Sequence, residues 1–403
     1  MKTNKYKAPL AIYVVWHPEF NRGIEFAEFL FSTFNRDIND PFARGIGIPV
    51  FYRYLADPQT GIPIEINLGE AQSSIVVVLI DDFCKINWSR YIGQLYEQFE
   101  NTINDKNDNH RFFPVAFNQS ALKIHPKVSE NNFIRLYDHE IELNKDTLLQ
   151  KSELKMRLTH EICRLFHELP RIADIEQYPS ELRNNSPITL FLSHTKNGGV
   201  PITQAIKQFI ETNTPAKSFF DSLDLISGKK FSIELEKHIE KSALIVIHTD
   251  KYSTREWCKW ELIMAKKHNR PIVVVNALQD IETRSYPYMG NVPVIRWQES
   301  EIHNIFHFIL LEILRFEYTY RLIDSQIRQY EGGHKIKKIL ASPPELFTLI
   351  YKAFEKGTKD KRVIYPDPPV TQEEKELLDE LDDFEFLTPM TLAAYMNEHT
   401  EQP

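Results

Sequence analysis

Two short apolar segments constrain the fold of this chain more than any other feature. The segments SSIVVVLID (73–81) and SALIVIHTD (242–250) are rich in β-branched residues, begin with serine and end at aspartate. A continuous apolar run of this length is typical of a strand in a parallel sheet that helices cover on both faces. Aligning the two segments at their first serines, without a gap, also aligns Trp88 with Trp257. The chain therefore contains an internal repeat.

The flanking segments repeat as well. Each copy has an earlier apolar strand followed by a helical pattern and a short strand, then a later strand, then a long amphipathic closing helix. The aligned pairs are 10–17 with 188–195, 111–118 with 270–277, and 148–169 with 301–322. Strands that alternate with helices at these lengths predict an α/β fold of two tandem flavodoxin-like domains with mostly parallel sheets.

The polar, proline-containing segment 175–187 predicts a linker between the copies. We expect a first domain at 1–174, a second at 187–325, and a small C-terminal helical appendage at 326–403. In the appendage, Thr371 precedes Glu374 by three residues, which predicts a capping box at the start of a helix. We expect the appendage to pack on the second domain or on a partner.

Composition narrows the classes of function. The net charge of −8 and the absence of long basic runs give no nucleic-acid signal. Three scattered cysteines disfavour disulfides and a zinc site, so we expect no metal and a reducing compartment. No stretch of eighteen apolar residues occurs, and we expect a cytoplasmic protein without a membrane segment. Dinucleotide-binding glycine motifs, a phosphate-binding loop and a nucleophile elbow are also missing from the sequence.

The stretch STREWCKWEL (253–262) contains the strongest candidate for chemistry. Helical spacing places Trp257 and Glu261 on one face, with Cys258 beside them. One interpretation is an amphipathic helix with Trp257 in the core and Glu261 in water. The other is a pocket in which Glu261 is the working carboxylate and Trp257 forms a wall.

The second copy resembles a known family. The segments LFLSHT (190–195), FFDSLDLISGKKF (219–231), SALIVIHTDKY (242–252) and WCKWEL (257–262) occur in the order found in Toll/interleukin-1 receptor (TIR) domains. The similarity is to the bacterial NAD-consuming members of this family and covers about residues 187–325. Arg255 departs from the pattern, which often has serine at that position.

The resemblance implies a site and a chemistry. Glu261 would be the catalytic carboxylate that contacts the ribose next to nicotinamide and stabilises the oxocarbenium character of bond cleavage. NAD⁺ would be the substrate, and no cofactor is expected. The residues implied in substrate binding are Phe191, Ser193, His194, Asp221, Trp257 and Cys258. A loop implied in packing against a neighbouring TIR domain contains Asp224, Ile226, Gly228 and Lys229.

The first copy is interpreted as a degenerate TIR-like domain without activity. The gapless alignment places Ile92 opposite Glu261, so no acid occupies the catalytic position. Asp81 and Asp82 are interpreted as caps of the turn from strand to helix. The remaining role of this domain would be contact with the second domain, with another subunit or with an activating protein.

Four functions remain open. The leading hypothesis is a TIR-domain NAD⁺ glycohydrolase that acts in bacterial anti-phage defence and is activated by self-association. The same site could instead cyclise ADP-ribose into a signal. A third hypothesis is a non-enzymatic adaptor, and a fourth is an enzyme similar to nucleoside deoxyribosyltransferases, which also combine an α/β fold with a catalytic glutamate.

Overall fold

A computed structural model describes most of the chain. The described residues are 6–37, 45–104, 109–137, 146–169, 188–196, 198–214, 216–219, 231–280, 286–289, 291–330, 336, 338–345, 361–380 and 384–400. The chain divides into two compact units, Lys5–Glu161 and Ile162–Pro403. The linker predicted at 175–187 lies outside the described residues, and the domain limits stay predictions.

The first unit is built on a five-stranded sheet in which all pairs are parallel, in the order β2-β1-β3-β4-β5. Its central strands are buried along nearly their whole length, as the apolar runs predicted. The strands are β1 (Ala8–Trp16), β2 (Val50–Arg53), β3 (Ala71–Ile80), β4 (Arg111–Ala116) and β5 (Ile134–Arg135); the helices are α1 (Gly23–Phe34) and α2 (Asp82–Asn104). A third helix, α3 (Thr147–Glu168), begins in this unit and continues past its limit at Glu161.

The second unit repeats this topology. Its five parallel strands follow the order β7-β6-β8-β9-β10, which matches that of the first sheet strand for strand. The strands are β6 (Thr189–Ser193), β7 (Lys217–Phe219), β8 (Ala243–His248), β9 (Ile272–Asn276) and β10 (Val294–Arg296); the helices are α4 (Val200–Asn213), α5 (Phe231–Glu240), α6 (Glu256–Lys267) and α7 (Ile302–Ile327). This strand order is flavodoxin-like, which confirms the predicted fold class.

The C-terminal segment contains more than the predicted helices. It has α8 (Gln372–Asp379) and α9 (Pro389–Thr400), and also a three-stranded parallel sheet that the sequence analysis did not predict. The sheet consists of β11 (Lys338–Ile339), β12 (Arg362–Ile364) and β13 (Glu385–Leu387). The capping box of Thr371 and Glu374 is confirmed. Ile339 and Leu387 pack with Ile323 of α7 in one apolar cluster, so this segment shares a core with α7.

Strand register corrects the alignment of the two copies. Tyr13 of β1 pairs with Phe51 and stacks on it at 5.3 Å and 29°, and Phe191 of β6 pairs with Phe219 at 5.2 Å and 28°. Tyr13 therefore corresponds to Phe191. On its other side, Tyr13 pairs with Val76 of β3, and Phe191 pairs with Leu244 of β8. Val76 therefore corresponds to Leu244. The gapless alignment instead placed Val76 opposite Ile245 and was therefore wrong by one residue. Because successive side chains of a strand lie on opposite faces of the sheet, an error of one residue assigns each side chain to the wrong face.

The helices after these strands are also offset. Their buried positions follow one pattern, namely Trp88, Tyr91, Ile92 and Leu95 in α2, and Cys258, Glu261, Leu262 and Ala265 in α6. Trp88 is only 2% exposed whereas Trp257 is 52% exposed, so the counterpart of Trp88 is Cys258. The counterpart of Glu261 is then Tyr91, and the pairing with Ile92 was wrong. The cause is a longer connection in the second copy, which includes a 3₁₀ turn at Tyr252–Thr254.

None of the helices in the described residues has the length and apolar character needed to cross a bilayer.

Asp81 caps α2, as predicted, because its Oδ1 accepts a hydrogen bond from the backbone N–H of Cys84 at 2.9 Å.

Candidate active site

Glu261 lies in the second turn of α6 and is only 4% exposed. Its hydrogen-bonding partner Ser193 is the last residue of β6. Because β7 and β8 lie on opposite sides of β6, the chain reverses its direction of travel across the sheet at this point. Open parallel sheets bind ligands at the carboxyl ends of strands beside such a reversal. The carboxylate is therefore at the position where this fold class places its ligands.

A chain of hydroxyl groups holds the carboxylate. Ser193 Oγ donates to Glu261 Oε2 at 2.5 Å, and the Tyr252 hydroxyl lies 2.7 Å from Ser193 Oγ. Since the serine proton is committed to the carboxylate, Tyr252 is the donor to Ser193. The same tyrosine oxygen lies 3.3 Å from the backbone carbonyl of Cys258. Two hydroxyl groups in series thus fix the orientation of a buried acid.

Burial raises the pKa of Tyr252 well above its ordinary value, and the nearby negative charge of Glu261 raises it further. Tyr252 is therefore protonated throughout the physiological range and remains a hydrogen-bond donor. A neutral donor chain stabilises a carboxylate without neutralising it. The arrangement leaves Glu261 available to stabilise a positive charge that develops nearby.

Two predicted site residues connect the start of α6 to the end of β6. Cys258 is buried, and its Sγ donates to the backbone carbonyl of His194 at 3.5 Å. The His194 side chain is half-buried, with Nδ1 3.3 Å from the carbonyl of Leu192. The structure thus places Ser193 against Glu261 and Cys258 against the backbone of His194, and the roles of these residues in substrate binding stay predictions.

Phe191 and Trp257 are placed differently from the prediction. Phe191 is fully buried against Phe219, so it supports the site from within the core and does not line an open surface. Trp257 is exposed in the first turn of α6 and packs edge-on against Trp260 at 5.7 Å. It does not lie in the core. Successive helical positions 100° apart explain this, because the face that buries Cys258 leaves Trp257 outside.

The remaining predicted residues lie outside the described part of the chain. These are Asp221 of the substrate-binding set and the whole predicted assembly loop, namely Asp224, Ile226, Gly228 and Lys229.

Three polar residues that follow the carboxyl ends of β6 and β8 were missed by the sequence analysis. Tyr252 completes the hydroxyl chain, and the hydroxyls of Thr195 and Thr249 lie 3.1 Å apart, both buried. Thr195 and Thr249 each follow the end of a buried strand by one or two positions. Polar residues just after adjacent parallel strands were therefore the signal that could have identified them.

In the described residues, no group of three His, Cys, Asp or Glu side chains is placed to hold a metal ion.

Comparisons with known proteins show distant structural likenesses. No family model and no curated protein matches the chain. The TIR domains of the activated Roq1 resistosome, which recognises the pathogen effector XopQ, match 32% of this chain and 83% of their own, at 18% identity and a TM-score of 0.21. Tagatose-6-phosphate ketose/aldose isomerase from Escherichia coli matches 77% of this chain and 83% of its own, at 10% identity and a TM-score of 0.22. Any argument about function therefore rests on the site.

Proposed function

We propose that this chain is a TIR-type NAD⁺ glycohydrolase that cleaves the bond between nicotinamide and ribose. One observation carries the proposal: a buried carboxylate, Glu261, is held by Ser193 at the carboxyl edge of a parallel sheet, beside its topological reversal. Burial of a charge costs free energy, and buried charged groups in clefts are enriched at functional sites. The resemblance of the surrounding segments to TIR domains is the reason for proposing NAD⁺ as the substrate.

The chemistry requires little besides this carboxylate. Nicotinamide in NAD⁺ is positively charged and leaves as a neutral molecule, while positive charge develops at the anomeric carbon of the ribose. A fixed carboxylate stabilises that charge and holds the ribose hydroxyls. Ser193 and Tyr252 act as positioning residues, because they orient Glu261.

Access to the carboxylate is the regulated step in this proposal. Glu261 is almost completely enclosed, so the side chains around it must move before a substrate as large as NAD⁺ can reach it. We propose that self-association of TIR domains, through the predicted assembly loop, supplies this rearrangement. Bacterial anti-phage defence is the setting that the family resemblance favours.

The test is release of nicotinamide from NAD⁺ over a range of protein concentrations. We expect release, with a specific activity that rises with concentration because assembly opens the site. Separation of the products by mass identifies ADP-ribose for hydrolysis and a cyclic product for cyclisation. Absence of release at every concentration contradicts the proposal.

The adaptor hypothesis has one observation in its favour. Trp257 exposes a large aromatic ring at the start of α6, and exposed aromatic residues are enriched in binding surfaces. A chain that self-associates through Trp257 but releases no nicotinamide would be an adaptor. Activity on free nucleosides without activity on NAD⁺ would instead favour the deoxyribosyltransferase-like hypothesis.

A further inference from the structure

The second unit contains a cavity of about 110 Å³, which is several times the space that one water molecule needs. Arg270 and Pro293 line it, and these residues precede β9 and β10, so the cavity lies at the amino ends of these strands. Asn291, which also lines it, is exposed, so the cavity opens to solvent on that side. The candidate active site lies at the carboxyl edge of the same sheet, and the two places are therefore distinct.

Hydrogen bonds tie the walls of this cavity to one another. The carbonyl of Pro293 accepts from the backbone N–H of Val274 in β9 at 2.9 Å. In the turn between α6 and β9, Asn269 donates through Nδ2 to the carbonyl of Ile339 in β11 at 3.4 Å. Elements of the sheet and of the C-terminal segment thus enclose a preformed space, and a preformed site loses less conformational freedom when a ligand binds.

A buried cation lines the cavity and has a donor to spare. The side chain of Lys266 is only 5% exposed, and its Nζ contacts the two carboxylate oxygens of Glu345 at 2.5 and 2.7 Å. An ammonium group has three donors, and within the described ranges Nζ contacts no acceptor other than this carboxylate. One donor therefore remains for an acceptor in the cavity.

The rest of the lining favours an anion with an apolar body. Arg270 adds a second positive charge, so two cations, Lys266 and Arg270, line the cavity together with one acid, Glu345. Arginine and lysine both bind carboxylates and phosphates through charge-assisted hydrogen bonds. Water can accept from Nζ, but only a ligand with an apolar part also gains from the apolar side chains of the lining. These are Ile272, Val292, Pro293, Phe316 and Leu340.

We propose that this cavity binds a small molecule with a compact apolar body and one anionic group, a carboxylate or a phosphate, which accepts from Lys266 and Arg270. The anion shares Lys266 with Glu345. The ligand contacts α6, the helix that carries Glu261, but its binding does not depend on NAD⁺ cleavage.

The test is an NMR titration of four probes with the full chain, in a buffer free of phosphate and carboxylates. The probes are benzoate, phenyl phosphate, benzamide and acetate. We expect benzoate or phenyl phosphate to bind, and the stronger of the two distinguishes a carboxylate ligand from a phosphate ligand. Benzamide keeps the ring without the charge, and acetate keeps the charge without the ring. Each should bind at least about tenfold more weakly, because it uses only half of the lining.

Three variants locate the bound probe. Lys266→Gln should weaken its binding at least about tenfold and Arg270→Gln several-fold, because each removes a cation. Glu345→Gln should strengthen binding, since it removes the carboxylate that competes for Lys266. The matched control is Lys259→Gln, which makes the same change on α6 outside the cavity and should leave binding unchanged.

Circular dichroism checks folding, and Arg270→Gln decides the outcome if Lys266→Gln does not fold. The proposal is overturned if neither benzoate nor phenyl phosphate binds, which is the result expected of a cavity that holds only water. It is also overturned if benzamide binds as tightly as the anions, or if folded Lys266→Gln or Arg270→Gln binds as the wild type does. Weaker binding by folded Glu345→Gln would contradict the sharing of Lys266.

Discussion

At the scale of single residues, the candidate site is defined by the hydrogen-bond partner of each buried polar group. Glu261 is buried and hydrogen-bonded to Ser193, which is itself held by Tyr252. Removal of one member of such a chain affects the others, because a buried hydroxyl that loses its partner has no water to replace it. The carboxylate is thus stabilised in one orientation by groups from a strand and from the turn before α6.

Tyr252→Phe tests the hydroxyl chain. The variant keeps the ring but leaves Ser193 without its donor, so we expect a loss of about 1 kcal/mol in the free energy of unfolding. If Glu261 is catalytic, its poorer orientation should also lower kcat by roughly tenfold. Denaturant titration and nicotinamide release measure the two effects, with Tyr330→Phe in the same unit as the matched control. A variant with wild-type stability and kcat would show that the chain of hydroxyls does not position the acid.

At the scale of elements, α6 is fixed at both ends. Its first turn contacts β6 through Cys258 and the carbonyl of His194. Its last turn carries Lys266, whose Nζ contacts both carboxylate oxygens of Glu345, at 2.5 and 2.7 Å. The side chain of Lys266 is only 5% exposed, so this ion pair ties the helix that carries Glu261 to the C-terminal segment.

Glu345→Gln tests this attachment. The substitution leaves a buried ammonium without its counter-charge, and we expect a loss of about 2–3 kcal/mol in the free energy of unfolding. Glu256→Gln removes the partner of Lys259 on the exposed side of the same helix, and should cost less than about 0.5 kcal/mol. Equal stability losses in the two variants, measured by denaturant titration, would contradict a structural role for the buried pair.

How far the elements were predictable depended on their length and pattern. Apolar strands and amphipathic helices predicted two mostly parallel sheets with four of the five strands in each, and the capping box at Thr371 predicted the start of α8. The short edge strands β5 and β10 were missed. The register between the copies was not predictable from β3 and β8, because strands buried on both faces lack the alternation that identifies a face. The C-terminal sheet was missed because its strands have only two or three residues.

The contact between Glu261 and Ser193 was predictable from the sequence, whereas the rest of the surroundings of Glu261 was less so. The position of Glu261 next to Ser193 and Cys258 followed from the TIR-like segments, and the structure brings these residues together. The burial of the carboxylate did not follow, since it depends on packing among elements distant in sequence. Tyr252 was overlooked because a tyrosine after a strand looks like any other core aromatic residue.

At the scale of the whole molecule, two units share one topology and differ in the chemistry of the same edge of their sheets. The second presents a carboxylate in Glu261. The first has Tyr91 at the position that corresponds to Glu261. A duplicated scaffold can diverge in this way because residues at the carboxyl edge of a parallel sheet bind ligands, while the strands themselves maintain the fold.

Tyrosine burial makes stability depend on pH in the alkaline range. Burial raises the pKa values of Tyr13 and Tyr91 from 10.0 to about 12. A raised pKa contributes stability that is fully present below pH 10 and is lost as the pH rises through about 12, because the unfolded chain loses the protons first. We expect the denaturant midpoint of the first unit to fall between about pH 9 and about pH 11, and to fall less steeply in Tyr91→Phe. An identical pH dependence in wild type and variant would exclude Tyr91 as a contributor.

The central claim, that the buried acid of α6 performs the chemistry, is tested most directly by comparing nicotinamide release from NAD⁺ by the wild type, Glu261→Gln and Glu256→Gln. The two variants make the same chemical change on one helix, at a buried and at an exposed glutamate. We predict that Glu261→Gln lowers the rate by about a hundredfold or more, because it removes the charge that stabilises the developing oxocarbenium ion, whereas Glu256→Gln retains the wild-type rate. Equal release by the wild type and a folded Glu261→Gln would contradict the account.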